Sequence, residues 1–182
     1  LIAAGVLVAC SRPQCGVTPL PEQITYKGGY CACDSSRAVV GEFAKLESRI
    51  DPSAEGIRAE GYRLQIDRRK ILLTAIDSAG LFYGKQTLRQ LATAQGIPCV
   101  EVLDNPRFAY RGMHLDVSRH FFPKEQIFKI LDEMAYYKLN KFHFHLCDNG
   151  GWRIQIDKYP LLTKLGSHRM EIECCLLYTS PS

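Results

Sequence analysis

The stretch Arg111–Arg153, RGMHLDVSRHFFPKEQIFKILDEMAYYKLNKFHFHLCDNGGWR, decides the fold of this chain. Two short apolar segments flank a longer amphipathic one, which predicts a strand, a helix and a second strand. Two buried strands joined by a helix form a βαβ unit of a parallel sheet. Sheets of this kind carry their chemistry at the carboxyl ends of their strands. The stretch therefore predicts an α/β domain with a site at one edge of its sheet.

The spacing of apolar residues gives the bounds of these elements. Tyr110–Val117 is the first predicted strand and Lys141–Leu146 is the second. Pro123 stands where the helix begins, a position at which its missing N–H costs nothing. The apolar stripe of the helix recurs every three or four residues, as in a helix that covers a sheet, and consists of Ile127, Ile130, Leu131 and Met134.

Polar residues follow both strands. The first strand ends in Asp116–His120 and the second leads into Cys147–Asn149. Parallel strands end at the same edge, so Arg119 and Asp148 should lie close together. An arginine beside a carboxylate suits the binding of hydroxyl groups, which points to a sugar.

The first hundred residues predict a small α+β domain. Gln23–Tyr26 and Val100–Val102 are short strand candidates, and the alternating pattern of Gly61–Ile76 predicts a β-hairpin. Apolar spacing predicts helices over Val39–Ile50 and Leu81–Ala94. Ser78-Ala79-Gly80 is expected to end the hairpin before the helix begins. Asp104-Asn105-Pro106 is expected to form a turn at the end of the domain. The predicted α+β domain thus spans 19–104, and the first part of the next domain spans 105–166.

Composition excludes some classes of protein. The chain has 182 residues, of which 46% are hydrophobic and 23% charged, which is typical of a globular protein. The net charge of +4 is spread out, with no basic run longer than Arg68-Arg69-Lys70, so nucleic acid is not an expected partner. The eight cysteines include no C-x-x-C pair, and we interpret them as buried residues or free thiols.

Both ends of the sequence differ from the rest. Leu1–Ala9, LIAAGVLVA, fits the apolar core of a secretory signal, and Leu7-Val8-Ala9-Cys10 looks like a bacterial lipobox, which makes Cys10 a candidate for lipidation. We expect 1–18 to be a signal and linker and the protein to reach the bacterial cell envelope; a buried N-terminal strand is the alternative. Cys175–Ser182 resembles a translated sequencing adapter, so 167–182 is predicted to be a non-native tail.

The segments EGYRLQI, ILLTAIDSAGLFYGKQTLRQL, NPRFAYRGMHLDVSRHFF and KLNKFHFHLCDNGGWRIQIDKYPLLTKLG together resemble glycoside hydrolase family 20, the β-N-acetylhexosaminidases. The resemblance runs from about Pro19 to Gly166. It implies a small α+β domain followed by the start of a (β/α)8 TIM barrel. It also implies hydrolysis of terminal N-acetylglucosamine or N-acetylgalactosamine from glycans with retention, and no cofactor. In this mechanism the acetamido oxygen of the sugar attacks the anomeric carbon, and an adjacent Asp-Glu pair stabilises the acetamido group and protonates the leaving oxygen.

This sequence departs from the family pattern in two places. No Asp-Glu pair follows Asp148, and a barrel needs about 250 residues, so we expect the chain to be a truncated piece that is inactive alone. Asp148-Asn149-Gly150-Gly151-Trp152 also lacks the second acid and the glutamine of the family's D-D-Q-G-W motif. Residue by residue, the resemblance implies that Arg119 binds the 3- and 4-hydroxyls of the sugar and that Asp148 helps to position its acetamido group.

Two other functions remain open from the residues alone. His143 and His145 lie on one side of the second strand, and with Asp148 beyond them a metal-dependent barrel hydrolase is conceivable. The resemblance implies that these histidines are metal-free, and that His114 and Asp116 are interior polar residues which hold the strand ends. The other alternative is a non-catalytic carbohydrate-binding lipoprotein of the cell envelope.

Overall fold

A computed structural model describes residues 16–32, 43, 45–149 and 151–168. The chain forms two compact units, Leu1–Pro106 and Arg107–Ser182. Asn105 belongs to the first unit. Its side chain is buried and hydrogen-bonds to the backbone of Arg58 and Gly56 at 2.7 and 3.1 Å.

The first unit is a five-stranded sheet covered by one described helix. The strands are β1 (Gln23–Cys31), β2 (Leu46–Ile50), β3 (Tyr62–Ile66), β4 (Ile71–Ala75) and β5 (Ile97–Asp104). They lie in the order β1-β5-β3-β4-β2, and every pairing is antiparallel except that of β2 with β4. The alternating residues of β3 and β4 bury one face completely. The predicted hairpin over Gly61–Ile76 is confirmed, because β3 and β4 pair directly.

Helix α1 (Ser78–Leu91) packs on this buried face. Asp77 caps its amino terminus, since one carboxylate oxygen accepts the N–H of Gly80 at 2.7 Å and the other accepts the N–H of Glu60 at 2.8 Å. The core beneath the helix consists of fully buried aliphatic side chains contributed by three strands and the helix, among them Leu64, Ile66, Leu73, Leu88, Val100 and Val102.

Two predictions for this unit were wrong. The described end of the predicted helix Val39–Ile50 is strand β2, in which Leu46–Ile50 pairs in parallel with β4. Backbone hydrogen bonds to a buried neighbouring strand outweigh the helical spacing of its few apolar residues. The helix predicted over Leu81–Ala94 spans Ser78–Leu91 instead, because the Asp77 cap makes Ser78-Ala79-Gly80, expected to separate hairpin and helix, the first turn of α1.

The second unit contains the predicted strand–helix–strand. Strand β6 (Gly112–Asp116), helix α2 (Lys124–Tyr136) and strand β7 (Lys141–His145) follow in order, and β6 pairs with β7 in parallel. Two short antiparallel strands, β8 (Cys147–Asp148) and β9 (Gly151–Trp152), come next, and α3 (Leu161–Lys164) follows. The predicted parallel arrangement is therefore confirmed.

The apolar stripe of α2 is only partly covered within this unit. Met134 is buried, Ile127 and Ile130 are half-buried, and Leu131 is exposed, so the stripe that was predicted to cover a sheet is covered only in part. Only two strands of parallel sheet lie in the described unit, and two strands are too narrow to cover a whole helix face. In the described part of the chain, no helix is long and apolar enough to cross a bilayer.

Asn140 fixes the start of both parallel strands. Its side-chain oxygen accepts the N–H of Arg111 at 3.0 Å, and its side-chain nitrogen donates to the carbonyl of Ala109 at 2.8 Å. The Arg111 guanidinium donates to the carbonyls of Lys138 and Phe108, both at 2.8 Å. These bonds tie the end of the helix–strand connection to the beginning of β6, and so they set the register that brings the strand ends together.

We predict that Gly80→Ala destabilises the first unit. A methyl group at Gly80 would overlap the carbonyl oxygen of Gly61 and lie 2.9 Å from the Ala75 Cβ. Alanine gains about 0.5–1 kcal/mol of helix propensity, but overpacking against backbone costs about 1–3 kcal/mol, so the net free energy of unfolding should fall by about 1–2 kcal/mol. Urea denaturation followed by circular dichroism measures this change. Gly16→Ala is the control, because its methyl group would meet no atom within 4 Å.

Candidate functional site

The site begins with a turn that Asp116 organises at the end of β6. One oxygen of its carboxylate, Oδ1, accepts the backbone N–H groups of Ser118 and Arg119 at 2.9 and 3.0 Å. An aspartate that accepts the amides two and three residues ahead reverses the chain locally. The turn therefore directs the Arg119 side chain back across the strand end.

The Arg119 guanidinium lies between two carboxylates. Its Nη1 is 2.7 Å from Asp116 Oδ2, and its Nη2 is 2.7 Å from Asp148 Oδ2. Asp116 comes from the end of β6 and Asp148 from β8, just past the end of β7. The Arg119 side chain remains 48% exposed, whereas the side chains of Asp116 and Asp148 are 25% and 29% exposed. Two partly buried carboxylates thus hold the guanidinium, while about half of the Arg119 side chain stays exposed to solvent.

His145, the last residue of β7, joins the same group. Its Nε2 lies 3.1 Å from Asp148 Oδ2 and 3.2 Å from Arg119 Nη1. A ring nitrogen donates to a carboxylate only when it carries a proton, and it accepts from a guanidinium only when it does not. Protonation at Nε2 therefore decides whether His145 bonds Asp148 or Arg119.

A short hairpin of β8 and β9 supports the carboxylate of Asp148. The other oxygen of Asp148, Oδ1, accepts the backbone N–H of Asn149 at 2.7 Å. The hydroxyl of Ser118, which is fully buried, donates to the carbonyl of Gly151 at 3.0 Å, and Arg153 Nε donates to the carbonyl of Val117 at 3.0 Å. These bonds fasten the turn after β6 to the hairpin after β7.

The electrostatics of the site keep both carboxylates ionised. Partial burial raises the pKa of Asp116, but the hydrogen bonds from the amide and guanidinium of Arg119 and from the Ser118 amide outweigh it, and the net pKa is lowered. The Asn149 amide is the main cause that lowers the pKa of Asp148, with Arg119 and His145 adding to it. The hydrogen bond from Arg119 to Asp116 raises the pKa of the guanidinium.

These lowered pKa values fix the sign of a pH effect on stability. An unfolded aspartate has a pKa of about 3.9, and both folded values lie below it. The stabilising contribution is therefore fully present above about pH 4 and is lost as the pH falls through the folded pKa values.

The structure brings together the two residues that the sequence singled out, Arg119 and Asp148, at 2.7 Å. Sequence reasoning missed the part of Asp116 in holding Arg119, although the Asp-x-x-Arg spacing after a strand was a signal for it. It also missed the contact of His145 with both residues, for which the sequence carries no signal. The lipidation candidate Cys10 and most of the predicted tail lie outside the described residues.

The histidines of the two parallel strands form a second cluster beside this group. His114 and His143 are register partners, and His145 lies two residues further along the same face. One nitrogen from each of the three rings lies within 4.8 Å of the others, a spacing from which a metal ion could be held. The sequence predicted the pair His143 and His145 on one side of the strand, but not the third ring.

We predict that Arg119→Ala raises the pKa of both carboxylates, and that of Asp116 by more. Asp116 loses a hydrogen bond and a charge from the guanidinium, whereas the main cause at Asp148, the Asn149 amide, stays in place. Carbon-13 NMR titration of the aspartate carboxyl groups measures both values. Arg107→Ala, which removes a guanidinium stacked on Phe108, should change neither. An Asp116 pKa that does not move would show that the guanidinium contact is not populated in solution.

Comparison with known protein families assigns both units to one family. Residues 44–105 match the model described as glycosyl hydrolase family 20, domain 2. Residues 108–180 match the model described as glycosyl hydrolase family 20, catalytic domain. The two matches adjoin each other and divide close to Pro106, where the two compact units also divide.

Individual relatives agree with the family models. A β-hexosaminidase of Vibrio vulnificus is 48% identical over 114 residues, which are 62% of this chain and 14% of that protein. A β-hexosaminidase of Porphyromonas gingivalis is 44% identical over a match of 159 positions that covers 76% of this chain and 20% of that protein. The crystal structure of a family 20 exo-β-N-acetylglucosaminidase from Vibrio harveyi, in complex with N-acetylglucosamine, superposes with a TM-score of 0.69 at 29% identity, over 84% of this chain and 28% of that one.

The chain thus spans 14% and 20% of the lengths of these two curated relatives. The likeness in fold covers 84% of this chain. The 48% and 44% sequence identities to the two relatives are higher than those of proteins that share a fold alone. Because two family models, the relatives and the structural likeness point the same way, this chain belongs to glycoside hydrolase family 20.

Proposed function

We propose that the protein acts as a β-N-acetylhexosaminidase, which removes terminal N-acetylglucosamine or N-acetylgalactosamine from glycans with retention of configuration. The observation that carries this proposal is the Arg119 guanidinium, held at 2.7 Å by each of two carboxylates at the carboxyl ends of parallel strands. Family 20 membership and the position of this arginine support the same substrate class.

Arg119 is proposed to bind the 3- and 4-hydroxyls of the terminal sugar. A guanidinium is planar and permanently charged, so it can donate in parallel to two neighbouring oxygens. Its side chain is 48% exposed, and Asp116 and Asp148 restrict its rotation from two sides. Little conformational entropy would then be lost when the sugar binds, and the hydroxyls would be held in one orientation.

Asp148 is proposed to place negative charge near the acetamido group. Its lowered pKa keeps it ionised near neutral pH, and the Asn149 amide and Arg119 hold both of its oxygens in position. In the proposed reaction the acetamido oxygen of the sugar attacks the anomeric carbon, and the cyclic intermediate is then opened by water. The family's adjacent Asp-Glu pair has no counterpart after Asp148 in these 182 residues, so catalysis is proposed for the full gene product.

We also propose that the protein is an envelope lipoprotein anchored through Cys10. The apolar run Leu1–Ala9 followed by a cysteine supports this proposal. A lipid anchor would place the enzyme where glycans of the cell surface or surroundings are accessible.

In the full gene product, Arg119→Ala should lower kcat/KM for 4-nitrophenyl N-acetyl-β-glucosaminide by about 100-fold or more, because the lost hydroxyl contacts also hold the sugar in its reactive shape. Asp148→Asn keeps the size of the side chain but removes its charge, so its loss should fall more on kcat than on KM. Steady-state kinetics measure both variants, and Arg107→Ala serves as the control.

Two outcomes would contradict this proposal. A full gene product that binds N-acetylglucosamine but never hydrolyses the substrate would favour the non-catalytic carbohydrate-binding protein. Loss of hydrolysis in EDTA, with recovery on adding zinc, would favour the metal-dependent hydrolase. We expect EDTA to leave the rate unchanged, since no step of the proposed reaction passes through a metal.

Replacement of the proposed anchor should separate the protein from the membrane. We expect the parent to enter the detergent phase in Triton X-114 partitioning and to incorporate radiolabelled palmitate, and Cys10→Ser to do neither. Cys15→Ser, five residues further along, is the matched control and should behave like the parent. Equal labelling of the parent and Cys10→Ser would refute the anchor.

A further inference from the structure

Three imidazoles converge on one face of the parallel strand pair β6 and β7. His114 and His143 face each other across the pair, with ring centroids 4.5 Å apart. His145 follows on the same face, with its ring centroid 6.0 Å from that of His114 and 6.3 Å from that of His143. The proposed hydrolysis uses neither His114 nor His143, whereas His145 contacts the proposed sugar-binding residues Asp148 and Arg119.

The contacts of the three rings differ. Among the described residues, the side chains of His114 and His143 are exposed and form no hydrogen bond, so each neutral ring has one nitrogen whose lone pair can bind a metal. His145 is half-buried and contacts Asp148 and Arg119 through Nε2. A ligating histidine whose ring is also oriented by a carboxylate is the common arrangement in metal sites.

The charge around the cluster favours a cation. Arg119 places one positive charge next to His145, but Asp116 and Asp148 each approach that guanidinium at 2.7 Å. Two carboxylates against one guanidinium leave a net negative charge. A divalent cation would therefore enter a region that is already negative.

We propose that His114, His143 and His145 form a binding site for a divalent transition-metal ion that prefers imidazole, such as zinc. In a tetrahedral zinc site with Zn–N bonds of about 2.0–2.1 Å, the ligand nitrogens lie about 3.4 Å apart. The three nitrogens here lie within 4.8 Å, so rotation of exposed rings brings them into range without moving the strands. Water would complete the coordination. The proposed hydrolysis needs no metal, and the two sites share one neighbour, since His145 contacts Asp148 and Arg119.

The register of the strands makes this arrangement rigid. Parallel strands lie about 4.8 Å apart, so in-register residues on one face present their side chains side by side. The pairing of His114 with His143 is fixed by the Asn140 and Arg111 bonds at the start of the strands. All three ligands thus come from strands, and such sites are positioned more precisely than sites on loops.

Titration of zinc into the 182-residue chain, followed by calorimetry, tests the proposal. We expect one ion per chain, and an affinity about tenfold or more lower in each of His114→Ala, His143→Ala and His145→Ala. The matched controls are His120→Ala and His168→Ala, which remove the two histidines outside the cluster, and Cys147→Ser, which removes a nearby thiol. All three controls should keep the parent affinity. Circular dichroism checks folding, and His143→Gln replaces any alanine variant that misfolds.

X-ray absorption at the zinc edge identifies the ligands independently of mutation. Imidazole nitrogens at about 2.0–2.1 Å support the site, whereas sulfur at about 2.3 Å assigns the zinc to cysteines and overturns it. The proposal also fails if no zinc binds, or if His120→Ala lowers the affinity as much as His114→Ala does. None of these outcomes depends on glycosidase activity, so failure here leaves the proposed hydrolysis untouched.

Discussion

The rest of the site depends on the hydrogen bonds that the carboxylate of Asp116 accepts. Its Oδ1 accepts the amides of Ser118 and Arg119, and its Oδ2 accepts the Arg119 guanidinium at 2.7 Å. One side chain therefore both shapes the turn after β6 and aims the arginine that the turn carries. Without the turn, Arg119 would leave the strand end in a different direction, and Asp148 would face no cation.

This network positions groups more than it stabilises the fold. Arg119 is 48% exposed, and ion pairs in contact with water contribute only about 0–1 kcal/mol. The stability of the chain comes instead from apolar burial, most of it in the first unit, where Leu64, Leu73 and Leu88 are completely buried. The site can therefore keep charged, solvated and adjustable side chains, because the fold does not depend on them. A guanidinium that is held in place and still meets solvent is ready to exchange water for hydroxyl groups.

The alternation of β-strands places two groups of polar side chains on one face of the same strand pair. Side chains at alternate positions lie on the same face, so His114 and Asp116 on β6 share a face with His143 and His145 on β7. At the carboxyl ends of the strands, Arg119 lies against Asp116 and Asp148. Two residues before these ends, the same face carries the rings of His114 and His143. His145 belongs to both groups, because it contacts Asp148 and Arg119 through Nε2 and its ring lies beside those of His114 and His143.

The sequence by itself determined the strand–helix–strand of the second unit, the pairing of β3 with β4, and the approach of Arg119 to Asp148. Period-two and period-3.6 patterns are local, and parallel strands joined by a helix must end at one edge. The tertiary structure alone decided that Leu46–Ile50 is a strand, because its partner β4 is distant in sequence. It alone placed His114 beside His143, since that contact depends on which residues pair across two strands, and a shift of one residue would turn one of the rings to the opposite face.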